Sequence, residues 1–140
     1  MGETLQPGMT FTQTITVTQG LTAAHLAADG LAVFSTPELV RFVERCALLG
    51  VRPFLGEGQE TVGTHVDIRH LAPTPLGMQV TARTTLVERD RRRLRFRVEV
   101  HDELDKVAEG THERFIVDTD RQQRRVQEKI AAWQGRGAGS

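Results

Sequence analysis

The stretch GTHVDIRHLAPTPLG (63–77) ends an alternating apolar row, Val66 and Ile68, on an ionisable side chain, His70. An imidazole in that place is either a histidine at the core edge with one hydrogen-bond partner, or a catalytic base or polariser. Its reference pKa of about 6.5 lets it exchange a proton near neutral pH. Two further residues have the types to join it. Thr36 stands at the start of STPELVRFVERCALLG (35–50), where its hydroxyl either caps a helix or serves as a nucleophile or positioning group. Glu44 lies at the border of that helix's apolar stripe, where a carboxylate is either solvated or faces a cleft. A hydroxyl, a proton acceptor and a carboxylate are the parts of nucleophilic and general acid–base chemistry.

The other reactive side chains read differently. Cys46, the one cysteine, falls on the apolar stripe and reads as a small core residue. With a single cysteine there is no intrachain disulfide framework and no cysteine-based zinc site. The five histidines show no HExxH spacing, so no metal site is expected, and His65 and His112 are second-rank candidates, expected to face solvent or a partner chain. No GxGxxG, P-loop or GxSxG motif occurs, and no cofactor is expected.

Charge narrows the partners. Lys+Arg and Asp+Glu are 18 each, a formal net charge of zero, which argues against a nucleic-acid partner. The densest cluster, ERDRRRLRFR (88–97), reads as a turn plus a solvated strand face, or as a basic rim for phosphates. No apolar run reaches the roughly 18 residues that span a membrane, and MGETLQPGMT lacks the basic start and apolar core of a signal peptide. A cytoplasmic protein is expected.

The elements that must position these residues follow from periodicity. Residues 10–19 alternate Phe11, Ile15 and Val17 with threonines, a strand pattern. Residues 21–34 read as a loop with a helical turn. Residues 35–50 are the clearest helix, capped by Ser35 or Thr36, with Pro37 in its first turn and Gly50 as its stop. Its buried stripe is Leu39, Phe42, Val43, Cys46 and Ala47. Residues 61–72 form a strand with Val62, Thr64, Val66, Ile68 and His70 on one face and Gly63 on the other. Two more strands, 78–88 and 94–102, point Met78, Val80, Ala82, Thr84, Leu86 and Leu94, Phe96, Val98, Val100 inward. A last strand, 107–118, has Gly110 as an expected bulge, and residues 119–133 form a surface helix. The chain reads as one domain over 1–134 with a flexible tail at 135–140. Short turns imply antiparallel pairing, so the fold is α+β: an antiparallel sheet wrapped around one central helix, plus a C-terminal helix. That is the hot-dog arrangement.

FSTPELVRFVERCAL, VGTHVDIRHLAPTPLGMQVTAR and RFRVEVHDELDKVAEGTHERFIV together resemble the fluoroacetyl-CoA thioesterase family of the hot-dog superfamily. The resemblance spans roughly residues 7–118. Its marks are a Thr at the helix start, a Glu eight residues later, and a strand G-T-x-x-x-x-x-H followed by a Pro and Gly turn. It implies that Thr36, Glu44 and His70 are catalytic and that Gly63 belongs to the site. Thr64 and Phe34 join Gly63 as candidate substrate-binding residues. The segment HLAADGLAVF before the helix is shorter than the family's lid and lacks its two phenylalanines, Phe34 lying too close to Thr36 to match either. The resemblance therefore implies a thioesterase for a small or short-chain acyl-CoA, working as a homodimer, without implying fluoroacetyl selectivity. The alternative is a non-catalytic hot-dog protein that binds an acyl-CoA or a small apolar ligand. A hydratase of this architecture would carry an Asp and a His on the central helix, and this helix has no histidine.

Overall fold

The computed structural model describes residues 4–26 and 30–138; residues 27–29 of the expected loop and 139–140 of the expected tail lie outside them. In chain order the elements are β1 (Thr10–Thr16), the single turn α1 (Ala23–Leu26), α2 (Thr36–Val51), β2 (Gln59–His70), β3 (Gln79–Asp90), β4 (Arg93–Asp102), β5 (Lys106–Asp118) and α3 (Thr119–Ala138). The strands form one antiparallel sheet in the order β1-β3-β4-β5-β2, leaving β1 and β2 at its edges.

The sheet holds α2 by its apolar stripe. Leu39, Phe42, Val43, Cys46, Ala47 and Val51 are all buried, and they meet Val80, Ala82, Val98 and Val100 at one end and Leu86, Leu94 and Phe96 at the other. Each large apolar side chain buried this way contributes roughly 1.5–3 kcal/mol. Period-two alternation supplies the other half of the core: Val80, Ala82, Thr84, Leu86, Leu94, Phe96, Val98 and Val100 are each 0% exposed. This is the expected α+β arrangement, with α3 packed against the end of β5 and its first residue, Thr119, bonded to the Gly58 carbonyl.

Four local expectations are corrected. Gly50 does not stop α2, which runs through it to Val51. The Phe11 ring lies where a Gly50 side chain would be, 2.3 Å from the ideal Cβ position, so this glycine serves close packing. Gly110 is not a bulge: it pairs in register with Val98 on one side and Ile68 on the other. The last helix does not end at 133: α3 extends through Ala138.

The fourth correction bears on function. The β2–β5 register steps from Gly63 opposite Arg114 to His65 opposite Glu113, so Thr64 is an extra residue, a β-bulge. The bulge inverts the alternation. Thr61 points inward at 3% exposure while Val62 is 38% exposed, and beyond the bulge Val66, Ile68 and His70 are half-buried. Gly63, expected on the opposite face from His70, therefore shares its face, and Val62 and Thr64 do not.

Gly110→Ala tests the packing of the β2–β5 ladder. Its Cβ would stand 1.9 Å from the Asp67 carbonyl oxygen, a backbone atom that cannot step aside. The expected loss is at least roughly 1–3 kcal/mol, read as a lower urea midpoint at unchanged m-value; a wild-type midpoint would contradict the register.

Candidate active site

Ser35, not Thr36, caps α2: its Oγ accepts a hydrogen bond from the Glu38 N–H at 3.3 Å. This frees the Thr36 hydroxyl, which lies 2.8 Å from Nδ1 of His70. The pair lines a cleft of about 470 Å³ with Phe34 and the Leu71–Pro73 turn. Phe34 is 1% exposed and packs edge-on against Phe42, so it forms the cleft's floor as a core residue. Burial lowers the pKa of His70 below its ordinary 6.5, with the Ala72 backbone acting weakly the other way. Its Nε2 is buried with no hydrogen-bond partner among the described residues. A neutral imidazole next to a hydroxyl is the geometry of a general base and the group that it activates.

Glu44 belongs to a second cluster. Its Oε1 is 2.9 Å from where a Gly63 Cβ would stand, with Arg114 Nη1 at 3.3 Å and His112 Cε1 at 3.5 Å. Only a glycine leaves that space open. Glu44 itself makes no hydrogen bond or ion pair with a described residue. His112, expected at the surface, is 0% exposed and stacks on Phe96. Its Nδ1–H donates to the His65 carbonyl at 2.8 Å, which fixes the tautomer and leaves Nε2 to accept from Arg114 at 3.3 Å. Arg114, 5% exposed, also donates to the Thr61 hydroxyl at 2.8 Å and the Thr61 carbonyl at 3.0 Å. These two side chains thus tie β2 down on both sides of its bulge.

Sequence alone does not point to Arg114, and it offers His112 only as a second-rank candidate facing solvent or a partner chain. The signal was present in β5, where Ala108, Gly110, His112, Arg114 and Ile116 alternate onto one face and the apolar ends mark that face as inward. His65 is exposed, as expected, and so is Thr64, whose hydroxyl donates to the Glu113 carbonyl on the outer side of the sheet. Thr64 therefore does not line the Thr36–His70 cleft. No group of three His, Cys, Asp or Glu side chains among the described residues could hold a metal.

The three expected catalytic residues do not meet within one chain. Thr36 and Glu44 are eight residues apart on α2, about 12 Å along its axis. His70 and Gly63 are seven residues apart on β2, on the order of 20 Å. The Thr36–His70 pair stands at one end of the α2–β2 interface and Glu44 at the other.

Comparison with known proteins follows this geometry. The sequence model of a family described as fluoroacetyl-CoA-specific thioesterase matches residues 17–120. A fluoroacetyl-CoA thioesterase from Streptantibioticus cattleyicolor is 31% identical over 138 residues, which cover 94% of this chain and 99% of the relative. A solved structure of a fluoroacetyl-CoA thioesterase superposes with a TM-score of 0.86 at 31% identity, over 91% of this chain and 98% of that one. A thioesterase superfamily member from Thermus thermophilus gives a TM-score of 0.86 at 26% identity, over 93% and 96% of the two chains.

The buried histidines set a pH dependence. Burial lowers both His70 and His112, and the Arg114 charge lowers His112 further. In the unfolded chain each takes its proton near 6.5, before the folded chain does, so stability falls as pH drops below that value and levels off below the folded pKa values. Urea midpoints measured from pH 8 to pH 5 are expected to be flat above about 7 and to decline below 6.5. A midpoint that rises on acidification would contradict the neutral assignment of both rings.

Proposed function

Because the chain belongs to the fluoroacetyl-CoA-specific thioesterase family, it is an acyl-CoA thioesterase for a small acyl group, and we propose that it acts as a homodimer whose two sites each combine Thr36 and His70 of one copy with Glu44 of the other. The observation that carries this reading is the pair of half-sites: a base bonded to its hydroxyl with Nε2 unpartnered, and a carboxylate over Gly63 with no ion pair. The β2 edge is the surface that joins them. It is a twelve-residue strand with one side unpaired, the kind of edge a second copy covers. Antiparallel pairing of two β2 strands about a two-fold axis near Val66 and Asp67 lays the Gly63 end of one along the His70 end of the other. Residues seven apart lie on opposite faces of a regular strand, so this apposition on one face needs the bulge at Thr64.

In this assembly the partner's Glu44 accepts from the His70 Nε2–H and steadies the charge that develops on the ring. His70 Nδ1 takes the Thr36 proton as Thr36 Oγ1 attacks the thioester carbonyl. The carbonyl oxygen gathers charge beside the start of α2, where the Thr36 N–H is not used by the Ser35 cap. The C–S bond breaks, His70 returns the proton to the thiolate, and the acyl-threonine is hydrolysed by a water that His70 activates in the same way.

Thiol release across an acyl-CoA panel is expected to show turnover of short acyl groups. His70→Ala and Thr36→Ala each lower kcat by about 10²–10⁴-fold; equal turnover by the variants would remove the pair from the mechanism. The kcat/KM profile is expected to rise with pH as His70 loses its proton, because the neutral imidazole is the active form.

Mixing distinguishes a shared site from a self-contained one. Glu44→Gln and the double variant Thr36→Ala/His70→Ala are each expected to be inactive. Random re-pairing of equal amounts makes half the dimers mixed, each with one intact site, so activity returns to about a quarter of wild type. No recovery in verified mixed dimers would overturn the shared site.

A further inference from the structure

On the outer face of the sheet, between the β3–β4 turn and the first turns of α3, lies a cleft of about 370 Å³. Its base is apolar and open: Val62 is 38% and Phe115 41% exposed, side by side in the β2–β5 ladder. Its walls are basic. Arg121 and Arg125 are four residues apart on α3 and so share a face, while Arg92 comes from the turn opposite. Asp118 is the one acid in the lining, and it is already paired with Arg92 at 3.4 Å. Arg121 and Arg125 make no hydrogen bond or ion pair with any described residue.

We propose that this cleft receives the nucleotide end of coenzyme A, its phosphates on Arg92, Arg121 and Arg125 and its adenine on Phe115. Guanidinium groups match phosphate oxygens in charge and fork geometry, and an exposed aromatic ring beside them offers a base a stacking face. Position supports the assignment. Thr64 lines the cleft and neighbours Gly63, the residue under Glu44. Resting on the shared-site reading above, the cleft of one copy then lies just beyond the partner's Thr36–His70 cleft, where the partner chain leaves the sheet at Leu71–Pro73. The pantetheine arm crosses there from the outer face to the thioester. Of the arginine-rich run at 88–97, Arg92 alone lines this cleft. Arg93 is bound to Glu88 and Glu113, and Arg89 reaches the Leu5 carbonyl.

The test is the double variant Arg121→Gln/Arg125→Gln, at two exposed helix positions. Two readouts are compared with wild type. One is the ratio of kcat/KM for acetyl-CoA to that for acetyl-N-acetylcysteamine, which has the thioester and no nucleotide. The other is calorimetric binding of adenosine 3′,5′-bisphosphate. The ratio is expected to fall roughly tenfold through KM, with a weaker dependence on salt, and the bisphosphate affinity to fall by a similar factor. An unchanged ratio with unchanged bisphosphate binding overturns the proposal. If wild type hydrolyses no thioester, the catalytic reading fails and the calorimetric arm still decides the cleft.

Discussion

Burial of one helix stripe inside a single antiparallel sheet is the constraint on which the rest of this structure depends. Leu39, Phe42, Val43, Cys46, Ala47 and Val51 have nowhere else to go, and the facing strands offer an apolar face of matching length. Once the stripe is seated, the helix cannot rotate or slide without exposing it. Thr36 is thereby fixed at one end of the interface with β2 and Glu44 two turns further on. The chemistry is placed by packing that contains none of it.

The second determinant is small: one extra residue in β2. Without the bulge at Thr64, Gly63 and His70 would point to opposite faces of the sheet, and the space over Gly63 could not belong with the histidine's cleft. The bulge is held by polar groups that are costly to bury. His112 bonds the carbonyl of His65 just after it, and Arg114 bonds the carbonyl and hydroxyl of Thr61 just before it. A buried arginine and a buried neutral histidine persist only because each finds several partners. Their cost is accepted where it fixes the glycine beneath the carboxylate.

One chain holds an imidazole with one ring nitrogen bonded and the other buried without a partner among the described residues, and a carboxylate that feels the Arg114 charge yet makes no hydrogen bond or close ion pair with a described residue. Both sit along the same open edge strand, at opposite ends. In the proposed dimer a two-fold axis across that strand would bring opposite ends together twice, so that one interface would complete both sites. The outer cleft by Phe115 and Arg121 lies on the other side of the same strand, so both proposed ends of the substrate would rest on β2.

Local periodicity and short turns determine much of this protein from sequence alone. The α+β class, the helix stripe and the inward residues of β3 and β4 are set by patterns of period 3.6 and two, which report burial directly. Thr36, Glu44, His70 and Gly63 stand out as candidates in the sequence, because their spacing on those elements resembles a family pattern. Tertiary structure decided what spacing cannot express. A bulge has no signature in TVGTHVDIRH, since any residue can be the unpaired one and only the partner strand reveals it. Gly50 and Gly110 read as a stop and a bulge, yet they answer to Phe11 and to the Asp67 backbone, distant in sequence. His112 and Arg114 are polar letters in a strand, and polarity alone predicts exposure. Only the packed sheet shows that each has enough hydrogen-bond partners to be buried, and that Thr36 and Glu44, eight residues apart, stand at opposite ends of the α2–β2 interface.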